Sequence, residues 1–367
     1  MIKEFQKGNK ISTVLSTIKI LTISFILLVI LDIFFGNKFI SFITKNSERE
    51  YRKMHHVYSH TLKENFIGTG KWGNNSYQIC TNKFGFKSSC IKENLKSEDS
   101  YDYIFIGDSF TEAIGIPHEK TFTGLTNNYF TNLKIANMGV ASYSPSIYFS
   151  KLSHFIKNGL KIKNVVVFID PGDYFDEMKI NLDKRGYISY KTNKYEKFKN
   201  VRKLKSFINN NFSGISYFLN RFISKKPTYD NHTNFNPPGI RWVNENFSSN
   251  FTKNDSQIAI QKSLTIMNKL YEFLLSRDIT LSIGVYPWPY QIKHDKIESK
   301  HVKIWKKFCI NKCKEFINSH KSIFKLKNLY SNDKLIKMLY IEGDNHFNEI
   351  GNQIIANDII KVLNSKN

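Results

Sequence analysis

The stretch YIFIGDSFTEAIGI, Tyr103 to Ile116, decides the fold. Its opening residues, Tyr103–Ile106, are apolar and follow Asp102, which is the pattern of a short buried strand. Gly107-Asp108-Ser109 then makes a tight turn into a helix, because glycine lets the backbone turn sharply. Ser109 therefore stands at the carboxyl end of a strand, near a helix start whose N–H groups can receive a developing negative charge. Outward from this point the pattern repeats. Lys134–Val140 carries a second strand into a turn. Asn164–Ile169 (NVVVFI) is a continuous apolar run, suited to a strand buried on both faces. Ile279–Val285 is another, and Ser322–Leu326 reads as a fifth, weaker strand.

Helical patterns lie between the strands. Ile260, Leu264, Met267, Leu270 and Leu274 keep one apolar face. Val302–Ile317 and Ile350–Leu363 do the same. Strands alternating with helices predict an α/β fold of three layers, α/β/α, around a mainly parallel sheet. In such sheets the functional site lies beyond the carboxyl ends of the strands.

The whole chain has 367 residues, about two domains' worth. Hydrophobic residues at 41% and charged residues at 23% give a globular composition, which excludes wholesale disorder and a multi-span membrane protein. Fifty-four basic against 31 acidic side chains leave a net charge of +23, which favours anionic surroundings such as lipid headgroups or acidic glycans. The lysines are spread along the chain, so genomic drift in composition explains them equally well. Nucleic acid is not an expected partner, because there is no basic stripe and no aromatic repeat motif.

Ile20–Phe35 reads ILTISFILLVILDIFF, with Asp32 its only charge. A helix of that length spans about 25 Å, and the uncharged run from Ile11 to Ile18 extends it. Gly36-Asn37-Lys38-Phe39 is a poor cleavage site, so the segment is expected to stay as a signal anchor. The expected organisation is a short tail (1–19), a transmembrane anchor (20–36), a stalk and irregular lead-in (37–100), and an α/β body (101–367). Residues 177–256, rich in Lys, Asn, Tyr and Phe with Pro237-Pro238-Gly239 near the end, interrupt the alternation as an insertion. Lysines flank the anchor on both sides, so charge discriminates its orientation weakly. The common arrangement for such an anchor puts the body outside the cytoplasm.

Cys80 and Cys90 bracket a polar segment with a central Gly85, a candidate small disulfide loop that fits an exported body. Cys309 and Cys313, at i and i+4 in a helical pattern, read as two buried thiols rather than a bridge. No spacing suggests a metal site, and no cofactor is called for.

A serine hydroxyl needs a base to take its proton. The candidate base is His346, in EGDNHFNEIGN. Asp344 lies two residues earlier, so in an extended segment both side chains share a face. The carboxylate can then orient the imidazole and stabilise its charged form. Asn348 is placed to cap the last helix. The loop VYPWPYQI (285–292) follows a buried strand, and its Trp288 is a candidate for lining the substrate.

The blocks GDSF (107–110), NMGVASYSP (137–145) and DNHFNEIGN (344–352) occur in an order that resembles the SGNH/GDSL-type hydrolases. The resemblance covers most of 101–367 apart from the insertion. It implies a flavodoxin-like fold and ester chemistry, with Ser109 as nucleophile and His346 as general base. It also implies that Gly139 joins Ser109 as an oxyanion donor through its backbone N–H. Two departures stand out. The family's Asp three residues before the His is replaced by Gly343, leaving Asp344 as the nearest carboxylate. The family's oxyanion Asn falls where this chain has Gly172, in FIDPGDYFDE. Either backbone groups such as that of Gly172 compensate, or the enzyme is slow, or catalysis has been lost.

Three functions follow as expectations. The first is a membrane-anchored serine esterase removing acyl groups, foremost acetyl, from a cell-envelope glycan or lipid. The second is an O-acyltransferase to a cell-surface polysaccharide using the same residues. The third is a non-catalytic binding protein of the same fold. The oligomeric state is not legible.

Overall fold

The structure is a computed structural model that describes residues 2–36, 51–72, 75–91, 99–190, 212, 214–215 and 253–365. The chain divides into two compact units: residues 1–45 with 192–228, and residues 46–191 with 229–367. Within the first, a helix runs over Ile2–Leu31 and ends in a wider turn, Asp32–Gly36. Leu15–Gly36 has a mean hydropathy of 2.5 and is long and apolar enough to cross a membrane. Asp32 is buried, and its two carboxylate oxygens accept the N–H groups of Gly214 (2.8 Å) and Ile215 (3.0 Å). Most of the segment read as an insertion, and the first part of the expected stalk, lie outside the described residues.

The second unit holds twelve strands among its described residues: β1 Arg52–His55, β2 Ser59–Leu62, β3 Ile67–Trp72, β4 Asn75–Thr81, β5 Lys87–Ser88, β6 Ser100–Ile106, β7 Ile135–Asn137, β8 Lys161–Ile169, β9 Ile180–Leu182, β10 Ile188–Tyr190, β11 Thr280–Val285 and β12 Phe316–Asn318. Eight of them form one sheet in the order β12-β11-β8-β6-β7-β5-β4-β3. The first five pair in parallel, and β5, β4 and β3 continue as an antiparallel edge. Taken alone, the parallel strands have the doubly wound order 2-1-3-4-5, whose switch point lies between β6 and β8. The α/β fold with its mainly parallel sheet is therefore as the sequence leads one to expect.

Side chains on the parallel strands alternate between two cores, as the period of two requires. Ile104, Ile106, Val165, Val167, Ile169 and Ile283 pack with the helices Pro145–Lys157, Lys253–Leu275 and Lys300–Cys309. Phe105, Val166 and Phe168 face the other way, against Phe122–Tyr129, Asn332–Leu339 and Glu349–Asn364.

Four local expectations are corrected. Ser322–Leu326 belongs to the helix His320–Lys325 and the single turn after it, and the edge strand is β12. The apolar residues Ile323 and Leu326 are three apart, which is helical spacing. The helix expected over Val302–Ile317 stops at Cys309, because Asn311 turns the chain at φ 59° and Lys314 then joins β11 through Leu281 O. Cys309 and Cys313 are joined by a disulfide across that turn, where two thiols were expected. The lead-in before residue 101 is not irregular: it supplies β3, β4 and β5. Their alternation is visible in buried Tyr77 and Ile79 around exposed Gln78, while Gly68 and Gly70 thin the signal in β3. Cys80 and Cys90 are linked, with Cα atoms 5.1 Å apart.

Candidate active site

The turn after β6 can be made only with glycine at 107. A Cβ there would lie 2.1 Å from Thr111 Oγ1 and 2.7 Å from Phe168 O. Asp108 caps the short helix Ser109–Glu112 by accepting the Phe110 N–H at 2.9 Å. Ser109 becomes the first residue of that helix, and Ala113, at φ 54°, ends it. Lys87 fastens the far end: its buried ammonium donates to the carbonyls of Glu112, Ala113 and Ile116, and burial pushes it down to about 7.

His346 comes from the connection into the last helix. Gly343, at φ 75°, turns the chain, Ile341 N–H bonds His346 O at 2.9 Å, and Tyr340 bridges Phe347. Asn348 caps the final helix by accepting the Ile350 and Gly351 N–H groups. Glycine takes that positive φ without steric cost, and the acid stands one residue later, at 344.

The side chains at 109, 346 and 344 form one chain of contacts. His346 Nε2 lies 2.7 Å from Ser109 Oγ, and His346 Nδ1 lies 2.5 Å from Asp344 Oδ1. The other Asp344 oxygen accepts the indole N–H of Trp72 at 2.6 Å, and the Trp72 ring stands edge-on to His346. Burial alone would push His346 down. The hydrogen bond and charge of Asp344, with Asp108 and Glu112 beyond, outweigh it and hold the imidazole above its ordinary value. Burial would likewise raise Asp344, but the His346 contacts and Trp72 hold it down to about 2. With Nδ1–H directed at the carboxylate, Nε2 is left as the acceptor facing the serine hydroxyl.

Two side chains in this frame carry no sequence signal. Trp72 ends β3, 272 positions before Asp344. Glu112 is fully buried, makes a two-pronged pair with Arg52 (2.8 and 2.9 Å), and accepts the Ala141 N–H at 2.8 Å. It thereby ties the loop after β7 to the serine helix.

The expected oxyanion donors fare differently. Ser109 N–H has no hydrogen-bond acceptor among the described residues, so it is free to receive charge. Gly139 N–H is spent on Asn137 Oδ1 at 3.0 Å, and the absence of a side chain at 139 serves packing, since a Cβ would lie 2.7 Å from Glu112 N. Two steps past Val140, whose N–H bonds Gly107 O, stands Ser142 at φ 62° with its N–H unbonded among the described residues. Gly172 N–H is likewise committed, to Asp170 Oδ1 at 2.6 Å. A glycine in the sequence singled out residue 139. The left-handed backbone at a serine gives no such sign.

Asp108, Asp170 and Asp173 lie together behind the serine, all buried. Burial first, then the Asp108 charge, pushes Asp170 and Asp173 well above the usual carboxylate range. Tyr148 OH donates to Asp173 at 2.8 Å. That bond favours the ionised carboxyl and so works against the upward push on Asp173. Trp288 is buried and stacked on Phe110, with centroids 5.8 Å apart, so it offers no open face to a sugar.

No family model matches the chain, and no curated protein matches it. Solved structures do. A member of the lipolytic protein G-D-S-L family from Veillonella parvula is 11% identical, with 72% of this chain and 98% of that one covered and a TM-score of 0.40. An acetylxylan esterase from Geobacillus stearothermophilus is 9% identical over 71% of this chain and 93% of its own, with a TM-score of 0.37. A psychrotrophic esterase from Pseudoalteromonas is 9% identical over 73% and 98%, with a TM-score of 0.36.

Proposed function

We propose that this chain is a membrane-anchored serine ester hydrolase of SGNH type, acting on acyl esters, foremost acetyl, of a cell-envelope glycan or lipid. One observation carries the reading: Ser109 Oγ, His346 and Asp344 are joined by contacts of 2.7 and 2.5 Å at the switch point of the sheet. His346 Nε2 takes the hydroxyl proton as Ser109 Oγ attacks the acyl carbon. The carbonyl electron pair moves onto oxygen, and the N–H groups of Ser109 and Ser142 receive that charge. His346 then passes its proton to the departing alcohol, leaving an acyl-serine. A water gives its proton to His346, attacks the acyl carbon, and the acid leaves as Ser109 recovers its hydrogen.

The helix over Leu15–Gly36 supports the anchor, and the Cys80–Cys90 and Cys309–Cys313 bridges support an oxidising compartment for the body. The charge of +23 suits an anionic envelope polymer or lipid as neighbour. The full chain in detergent micelles is expected to hydrolyse 4-nitrophenyl acetate and to bind a fluorophosphonate at Ser109. Ser109→Ala is expected to abolish both, and equal turnover by the two proteins would end this reading.

A further inference from the structure

On the hydrolase reading, an oxyanion next to Ser109 draws its N–H donors from two loops. The serine turn and the loop after β7 each offer one N–H, those of Ser109 and Ser142. The loop after β8 offers no free N–H over Asp170–Asp173 among the described residues. Gly172 N–H and Asp173 N–H both go to Asp170 Oδ1, at 2.6 and 3.2 Å. The residue there has no side chain to contribute.

The space beside Gly172 is occupied by a group from another strand. A Cβ built at 172 would lie 3.1 Å from Trp288 Cζ2 and 3.2 Å from Cη2. In an indole, Nε1 and Cζ2 are both bonded to Cε2, so the N–H lies on the same edge of the ring. That N–H is buried and has no hydrogen-bond partner among the described residues. Buried tryptophan N–H groups normally find an acceptor, and an orphan calls for a reason. The ring is also well fixed. It stacks on Phe110, the residue after the nucleophile, and its own backbone N–H bonds Gln291 Oε1 at 3.0 Å between two prolines. A rigid donor with no acceptor among the described residues, beside a loop whose own N–H groups are committed, fits a group whose acceptor exists only during the reaction.

We infer that Trp288 Nε1–H is the third donor to the oxyanion formed when Ser109 attacks an ester carbonyl. The inference rests on the hydrolase reading above. As the Ser109 Oγ–carbon bond forms, the carbonyl π pair moves to oxygen and the indole hydrogen bond closes on it. As the leaving alkoxide departs with the His346 proton, the pair returns to the carbonyl and the indole bond is released.

The test uses the full chain in detergent micelles. Trp288→Phe keeps an aromatic ring against Phe110 and removes only the donor. It is expected to lower kcat on 4-nitrophenyl acetate about 100-fold, with KM changed less than about threefold, since the bond belongs to the transition state. A folded Trp288→Phe protein with kcat within about threefold of wild type would overturn the inference. The second measurement needs no variant. Reaction with an alkyl fluorophosphonate puts a phosphoryl oxygen where the oxyanion would sit, and the Trp288 indole proton, recognised by its cross-peak to Phe110, is expected to move downfield. A labelled Ser109 with that proton unmoved overturns the Trp288 role alone. No labelling of Ser109 overturns the hydrolase reading and this inference together.

Discussion

Replacing Asp344 by asparagine removes one charge and leaves the shape of the site. Asp344 Oδ1 accepts from His346 Nδ1 at 2.5 Å and from the His346 N–H at 3.0 Å, and Oδ2 accepts from Trp72. Its carboxyl is held at about 2 against an ordinary 3.8. That displacement corresponds to about 2.5 kcal/mol of preference for the ionised form. The sign for the two partners differs. For the depressed carboxyl, stability is present above pH 3.8 and is lost as pH falls toward 2. For the raised imidazole, stability is full below pH 6.5 and is lost as pH rises through its higher folded value. Activity needs the neutral imidazole, so kcat/KM of the wild type should rise along a limb centred above pH 6.5. In Asp344→Asn the burial that opposes charge on His346 loses its main counterweight, and the limb should move to lower pH. An amide can also turn its NH₂ toward Nδ1 and favour the wrong tautomer. A loss in kcat of up to about 10⁴-fold is then expected, as a serine–histidine pair shows when its aspartate becomes asparagine. Initial rates on 4-nitrophenyl acetate between pH 5 and 9 report both effects. An unmoved limb together with a rate loss below tenfold would refute the role given to Asp344.

Trp72→Phe keeps the edge-on ring but removes the bond to Asp344 Oδ2. A hydrogen bond to a charged group contributes about 1.5–3 kcal/mol, so kcat/KM should fall about tenfold or more, and an unchanged rate would count against it. Arg52→Met leaves Glu112 buried and unpaired, a loss of about 3–5 kcal/mol that should lower the thermal midpoint by roughly 10 °C. A shift under about 2 °C would show that the pair holds nothing. Gly107→Ala drives a methyl into Thr111 and the Phe168 carbonyl. Calorimetry should find it destabilised by more than about 1 kcal/mol, and activity should fall with it.

The parallel half of the sheet was legible because its strands are buried on both faces, which writes them as unbroken apolar runs such as NVVVFI. The Ser109 turn was legible because local geometry decides it. The Asp344–His346 contact was expected from an extended segment, whereas residues 342–346 form turns and bends in which the His346 N–H bonds Asp344 Oδ1. What was missed is non-local. The antiparallel edge is short and glycine-bearing, and nothing in the neighbourhood of Trp72 hints at an acid 272 positions away. Gly139 drew attention by its residue type, while the free amide belongs to Ser142, whose unusual backbone is imposed by the loop around it. The Cys309–Cys313 bridge was hidden by reading a helix through a turn that Asn311 makes.

The edge strands that precede the serine turn bear on what the smallest working form of this protein is. A version trimmed to begin at residue 101 would look whole by its parallel sheet. It would lack the indole that steadies the acid and the guanidinium that neutralises Glu112. The strands over residues 52–88 and the Ser109–His346–Asp344 contacts therefore form one inheritance, and replacing the former would dismantle the latter.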